Sequence, residues 1–163
     1  MSKEKELTQA GQLERFKKLV GDVVRQNRFK VTFSKNWNLI DDAGFLIESI
    51  STPEIHTTKY KSAFDFTDSI EWSDITIKML YSVNQPEIIK SLLNSATNIS
   101  KSKEEDDPYF INLCILDTKL EIVNEWIIEV ENISIKFGSN FDQGKSEFST
   151  ISLKIIPKTC GLK

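Results

Sequence analysis

His56 is the one histidine in the chain, so any Ser-His-Asp or Cys-His nucleophile would have to run through it. It stands in a polar stretch just after Pro53, away from any Ser or Cys at a strand end, and reads as an exposed loop histidine. The two cysteines, Cys114 and Cys160, lie 46 positions apart (160 − 114) and neither belongs to a CxxC pair. With a single histidine they offer no zinc-ligand spacing, and two cysteines make no disulfide framework, so a reducing compartment is expected. Cys114 falls in an apolar run and is expected to be a small buried hydrophobe. The six glycines form neither GxGxxG nor GxxxxGK, which removes the backbone cradle that phosphates need. Asp41-Asp42 and Glu104-Glu105-Asp106-Asp107 carry the charge for a divalent cation but not the D-x-D-x-D-G frame, and read as solvated surface. Trp37, Trp72 and Trp126 could stack sugars or bases, yet each lies beside strand-type sequence and reads as core or interface packing. The expectation is a protein that is not an enzyme, with no catalytic residues, no metal and no cofactor.

The elements that carry these residues must fit one domain, 1–163. Hydrophobic residues make up 39% and charged residues 28%, the balance of a folded soluble domain and not of a disordered chain. A net charge of −3 argues against a nucleic-acid reader, which needs a concentrated Lys/Arg footprint. It is compatible with a passive wall past which nucleic acid slides. No run approaches the ~18 apolar residues of a membrane span, and the charged start Met1 to Glu6 lacks the apolar core of a signal peptide. Synthesis in a cytoplasm as a soluble chain is expected.

From Gln12 to Arg25, Leu13, Phe16, Val20 and Val23 recur at helical spacing, which predicts an amphipathic helix weakened by Gly21 within an N-terminal helical segment, 1–26. After a hinge at Asn27, Phe29, Val31 and Phe33 alternate with polar residues, as in a half-buried strand. Asp41-Asp42-Ala43-Gly44 signals a turn before a strand from Phe45 to Ile50, which Pro53 ends. Residues 54–68 are polar, aromatic and β-prone, with few core-type side chains; 45–68 is expected to form a protruding arm or hairpin that needs a partner. Trp72 leads a strand with Ile75, Ile77, Met79 and Tyr81 on one face. Pro86 and Glu87 start a helix over 86–97, and 97–108 is expected to be a charged loop. Strands follow over 109–116, 120–130, 132–137 and 148–156, with a turn at 138–144 and a patternless tail from Pro157. The predicted class is α+β, mainly β: an antiparallel sandwich or barrel with a flanking helix.

There is more strand here than one small core can use. Open sheet edges present unpaired N–H and C=O groups, and long β-branched strands over 120–137 and 148–156 would be satisfied either by neighbouring subunits or by hairpins packing on themselves. The order of features resembles the tail tube family of contractile-tailed bacteriophages along nearly the whole chain. The resemblance rests on layout: Asn27-Arg28-Phe29-Lys30-Val31 in a first strand, Ile50-Ser51-Thr52-Pro53 opening an arm, a Trp-led strand from Trp72 to Met79, a helix, and a polar loop. It continues with Trp126 to Gly138 and a closing strand, Glu147 to Ile156. Pro157-Lys158 departs from the aromatic-acidic ending common in that family, and the N-terminal helix is longer than usual. Both features leave room for a baseplate tube initiator or the tube of a contractile injection system.

The resemblance implies sheets completed across subunits in a hexameric ring, and rings stacked into a hollow tube inside a contractile sheath. DNA would pass through the lumen without specific binding. Sheath, baseplate hub and tail terminator proteins would be the partners, and the virion tail, assembled in the host cytoplasm, the location. Ring-to-ring contact falls to the arm, with Phe45, Ile47, Pro53, Ile55, Tyr60, Phe64 and Phe66 as anchors. Lys78, Glu129, Glu131 and Lys136 are lumen or inter-subunit candidates by strand alternation. The reading of another class is a small β-barrel holding an apolar ligand.

Overall fold

The computed structural model describes residues 9–21, 24–61, 66–144 and 146–163. In chain order the elements are α1 (Gln9–Val20), β1 (Phe29–Phe33), two 3-10 turns η1 (Lys35–Trp37) and η2 (Asp41–Leu46), and β2 (Ile47–Ile50). A hairpin follows, β3 (Ile55–Lys61) and β4 (Phe66–Trp72), then β5 (Ile75–Leu80) and α2 (Glu87–Lys101). The chain finishes with β6 (Phe110–Leu116), β7 (Ile122–Phe137) and β8 (Thr150–Leu162).

Six of these strands form one antiparallel sheet in the order β1-β6-β7-β8-β5-β2, while β3 and β4 pair only with each other among the described residues. The outer strands of the large sheet, β1 and β2, are neighbours in sequence, and η2 between them packs on both. The sheet therefore curls into a nearly closed barrel with η2 along its seam. Gly44 permits this approach: a Cβ there would lie 2.1 Å from the backbone oxygen of Val31.

Period-two alternation places Ile75, Ile77 and Met79 of β5 inside, fully buried, against Ile151, Leu153 and Ile155 of β8. Ile111 and Leu113 of β6 and Ile128 of β7 complete the wall. α2 lays Ile88, Leu92 and Ile99 onto this core. Ser95, the one buried polar residue on that helix face, donates its hydroxyl to the Trp37 carbonyl at 3.2 Å. Trp37 is fully buried, donates Nε1–H to the Phe110 carbonyl at 3.0 Å, and meets Phe33 and Tyr109 edge-on at 5.4 and 5.3 Å between ring centroids.

Several sequence expectations need correction. The N-terminal helix stops at Val20, because Gly21 takes a positive φ of 48° and closes the last turn by donating to the Lys17 carbonyl; it is the helix's stop and not a weak point within it. Asp41 to Leu46 is a 3-10 segment and not a simple turn, so the strand begins at Ile47. Trp72 ends β4 and does not lead β5, and Tyr81 lies beyond the end of β5. α2 runs on to Lys101, since Ile99 continues its buried face past the Ser/Thr-rich stretch that reads as loop. The expected break between 130 and 132 is a bulge within one strand of 16 residues.

The tail after Ile156 is strand as well. Pro157 sits opposite Val130 at that same bulge, and Val130 directs its N–H to the Tyr109 carbonyl instead. The missing donor of proline is thus absorbed by a register shift, as proline within a sheet requires.

Candidate assembly surfaces

No described group is poised for covalent chemistry. His56 lies in β3, exposed, with Nε2 3.4 Å from a Glu54 carboxylate oxygen that is equally solvated. Burial pushes the Cys160 thiol up from 9.0 to about 11. Burial also raises Cys114, with Glu125 adding to the effect and Lys30 and Lys163 opposing it. Both stay protonated at neutral pH and are poor nucleophiles. Among the described residues no three His, Cys, Asp or Glu side chains gather as metal ligands. Asp41 and Asp42 open the first turn of η2, and Asp106 accepts the Lys103 N–H within its own turn, so these acids serve local structure. Trp72 and Trp126 meet edge-on at 6.2 Å, pinning the root of the hairpin to β7.

What the fold leaves open is backbone and apolar surface. Among the described residues β1 and β2 each have one side without a strand partner, and β3 and β4 pair only with each other while β4 packs on β8. The ribbon is regular, pairing Ile55 with Trp72 through to Lys61 with Phe66, and Ser73 N–H donates to the Glu54 carbonyl at its base. Of the expected arm anchors, Phe45 is 83% and Ile55 50% exposed, and Pro53 is half-buried. Ile47 faces the core instead. Tyr60 and Phe66 occupy facing ends of the ribbon strands, opposite Thr67 and Lys61. Phe64 lies outside the described residues.

The four lumen or interface candidates separate into two pairs. Lys78 and Lys136 flank Ser152 from the two neighbouring strands on the outer face of the sheet, each one strand spacing, about 4.8 Å, from it. Glu129, just before the bulge, and Glu131, within it, line an open groove with Glu104, Asp106, Asp107 and Lys158.

Two surfaces escape sequence reading. One is a groove of about 910 Å³ that mixes Phe29, Phe45, Ile47, Ile50, Leu113 and Ile115 with Arg25, Arg28 and Glu48. The other is the turn between β7 and β8, where Phe141 and Phe148 are 84% and 88% exposed. Phenylalanine inside a Gly-Ser-Asn/Asp-Gln-Gly turn is the one sequence signal that could have flagged the second surface.

No protein-family model matches the chain, and no curated protein sequence matches it. Solved structures do. A chain of the sheath–tube complex of PVC, an extracellular contractile injection system, in its extended state superposes with a TM-score of 0.54 at 15% identity, covering 88% of this chain and 93% of that one. A chain of the PVC sheath/tube terminator, also in the extended state, gives 0.54 at 13%, covering 86% and 96%. A chain of the six-fold symmetrised baseplate of the anti-feeding prophage gives 0.51 at 11%, covering 83% and 92%. The fold is shared over almost the full length of both partners in each comparison.

Proposed function

We propose that this protein is a tube subunit of a contractile tail-like machine, closing with copies of itself into rings that stack into a hollow rod within a sheath. The observation that carries the reading is a likeness over most of the chain to chains of such machines, joined to a sheet whose outer strands β1 and β2 have unpaired sides among the described residues. Backbone groups left open at a sheet edge are satisfied when a neighbouring copy pairs with them, and a ring does this for every subunit at once. Six copies per ring is the number proposed; the baseplate structure sharing the fold is described as six-fold.

The hairpin β3–β4 is the proposed arm. It projects from the sheet with little core of its own and reaches an adjacent ring through Phe45, Pro53, Ile55, Tyr60, Phe64 and Phe66, while Ile47 anchors its root. Lys78 and Lys136, on the uncovered sheet face, are the better placed of the lumen candidates; Glu129 and Glu131 suit a contact between subunits. Sheath, baseplate hub and terminator proteins are the proposed partners. The comparisons above come from injection systems, which supports the injection-system version of the tube over the bacteriophage version with DNA as its cargo. The ligand-binding barrel fares worse, because Trp37, Met79, Leu92, Ile111 and Leu153 fill the interior.

Removing residues 54–66 tests the arm. The shortened chain is expected to keep its circular dichroism and cooperative unfolding, because the ribbon shares no strand pairing with the large sheet among the described residues. It is expected to lose rod formation at concentrations where the full chain polymerises. Rods of normal length from the shortened chain would contradict the assignment.

A further inference from the structure

Where β2, β5, β8 and β7 run side by side, the outer face of the sheet is built for water. Ser49, Lys78, Ser152 and Lys136 stand in one row across the four strands. Thr76, Lys154 and Ser134 stand in the next. Only hydroxyl side chains separate the lysines within these rows, and Lys78, Lys136 and Lys154 are all exposed. Sheet geometry puts Lys78 and Lys136 about 10 Å apart and Lys154 about 8 Å from each, roughly one Debye length at physiological salt. The three therefore act as a single cationic patch. Among the described residues one carboxylate pairs with it, Asp74, 3.2 Å from Lys154 Nζ. Glu48, in the β2 bulge, lines the groove beside Phe45 instead, and Glu129 and Glu131 line theirs. Three lysines against one acid make the patch opposite in sign to the chain as a whole, which carries −3.

Neither row holds an aromatic side chain or an arginine. Interfaces between folded proteins are anchored by such residues. Single-stranded nucleic acids stack on the aromatics, and phosphates are forked by the arginines. Lysine offers only a strongly hydrated point charge, and an exposed pair between lysine and a carboxylate is weak and readily broken. Contacts of that kind suit an acidic chain that is held without being trapped.

We propose that this face lines the channel of the tube and that its passenger is an acidic polypeptide, whose carboxylates exchange from one lysine to the next. The proposal rests on the stacked-ring reading, in which the copies repeat the patch around and along the channel, and it names the chemistry of what the tube carries.

Labelled polyglutamate of about 50 residues, up to about 170 Å when extended, tests the face. Rods of the wild-type protein are expected to bind it at low salt and to release it at about 0.5 M salt. Lys78→Glu, Lys136→Glu and Lys154→Glu together are expected to leave rods intact and to weaken binding at least about tenfold, each exposed charge counting for about two- to threefold. Lys→Gln at the same three positions, a milder change should the Glu protein fail to fold, is expected to weaken it about fivefold. Polyglutamate carrying at both ends a folded protein too wide for the channel is expected not to bind finished rods. Four results would each overturn the proposal while leaving the rods standing: no binding by wild-type rods, unchanged binding by the variants, equal binding of the doubly capped chain, or tighter binding of an oligothymidylate of equal charge. Absence of rods from the wild-type protein would instead bring down the stacked-ring reading, and the channel with it.

Discussion

Trp37→Ala is expected to lower the unfolding free energy by about 4 kcal/mol, emptying a fully buried indole site typically costing roughly 3–5 kcal/mol. The indole is completely enclosed. It lies between the rings of Phe33 and Tyr109, and its N–H ties η1 to the start of β6. The Phe110 carbonyl that receives this bond also accepts the Ser34 N–H, so the damage comes from the cavity and the lost ring contacts more than from an orphaned acceptor. With a urea slope of about 2 kcal/mol/M for a chain of this size, the midpoint should fall by about 2 M. Trp37→Phe keeps one ring contact and most of the volume and should lose about half as much. A midpoint change below about 0.3 M for the alanine variant, the level of a surface substitution, would mean that η1 does not pack as described.

Gly44→Ala puts two effects in opposition and is expected to resolve them as a loss of about 3 kcal/mol, near the upper end of the range for overpacking. Helical propensity alone favours alanine over glycine by about 0.5–1 kcal/mol. Against that, the added methyl would stand 2.1 Å from the Val31 carbonyl oxygen and 3.2 Å from its carbon. Both are backbone atoms of a strand held by five residue pairs with β6, so neither can swing aside as a side-chain tip would. To relieve the clash η2 must lift away from β1, and the contacts that close the seam are lost with it. A stabilised Gly44→Ala protein would mean that propensity outweighs contact here and that the seam is not closed by η2.

The strands were legible wherever alternation was clean. Phe29-Lys-Val-Thr-Phe33 and Ile75-Thr-Ile-Lys-Met79 announce both their conformation and their buried face, because a period of two has no other structural solution on a one-sided sheet. Boundaries failed where a local signal competes with a tertiary one. The Ser/Thr/Asn content of residues 95–100 suggests the end of α2, yet Ile99 is 4% exposed and burial carries the helix a further turn. Pro157 reads as a strand stop, and it is one only when the partner strand cannot shift register; the bulge at 130–132 lets β8 continue to Leu162.

The candidate surfaces were legible only in part. A hairpin follows from the β-prone stretch over 54–68 without core residues, and β3 pairs with β4 there; its use as an arm is the proposal. The groove could not be read, because its wall gathers residues from β1, β2 and β6 that are far apart in sequence. Nor could the place of Glu131, which falls inside the bulge and has no partner in the register of β7 with β8.

The central claim is that an isolated molecule is incomplete and that copies supply one another's missing sheet partners. Negative-stain microscopy of the purified, concentrated wild-type protein tests it most directly. Rings with a central hole, six-fold in projection and stacking into rods as concentration rises, are the expected result. A compact monomer at every concentration, with no ring in any field, would contradict the account.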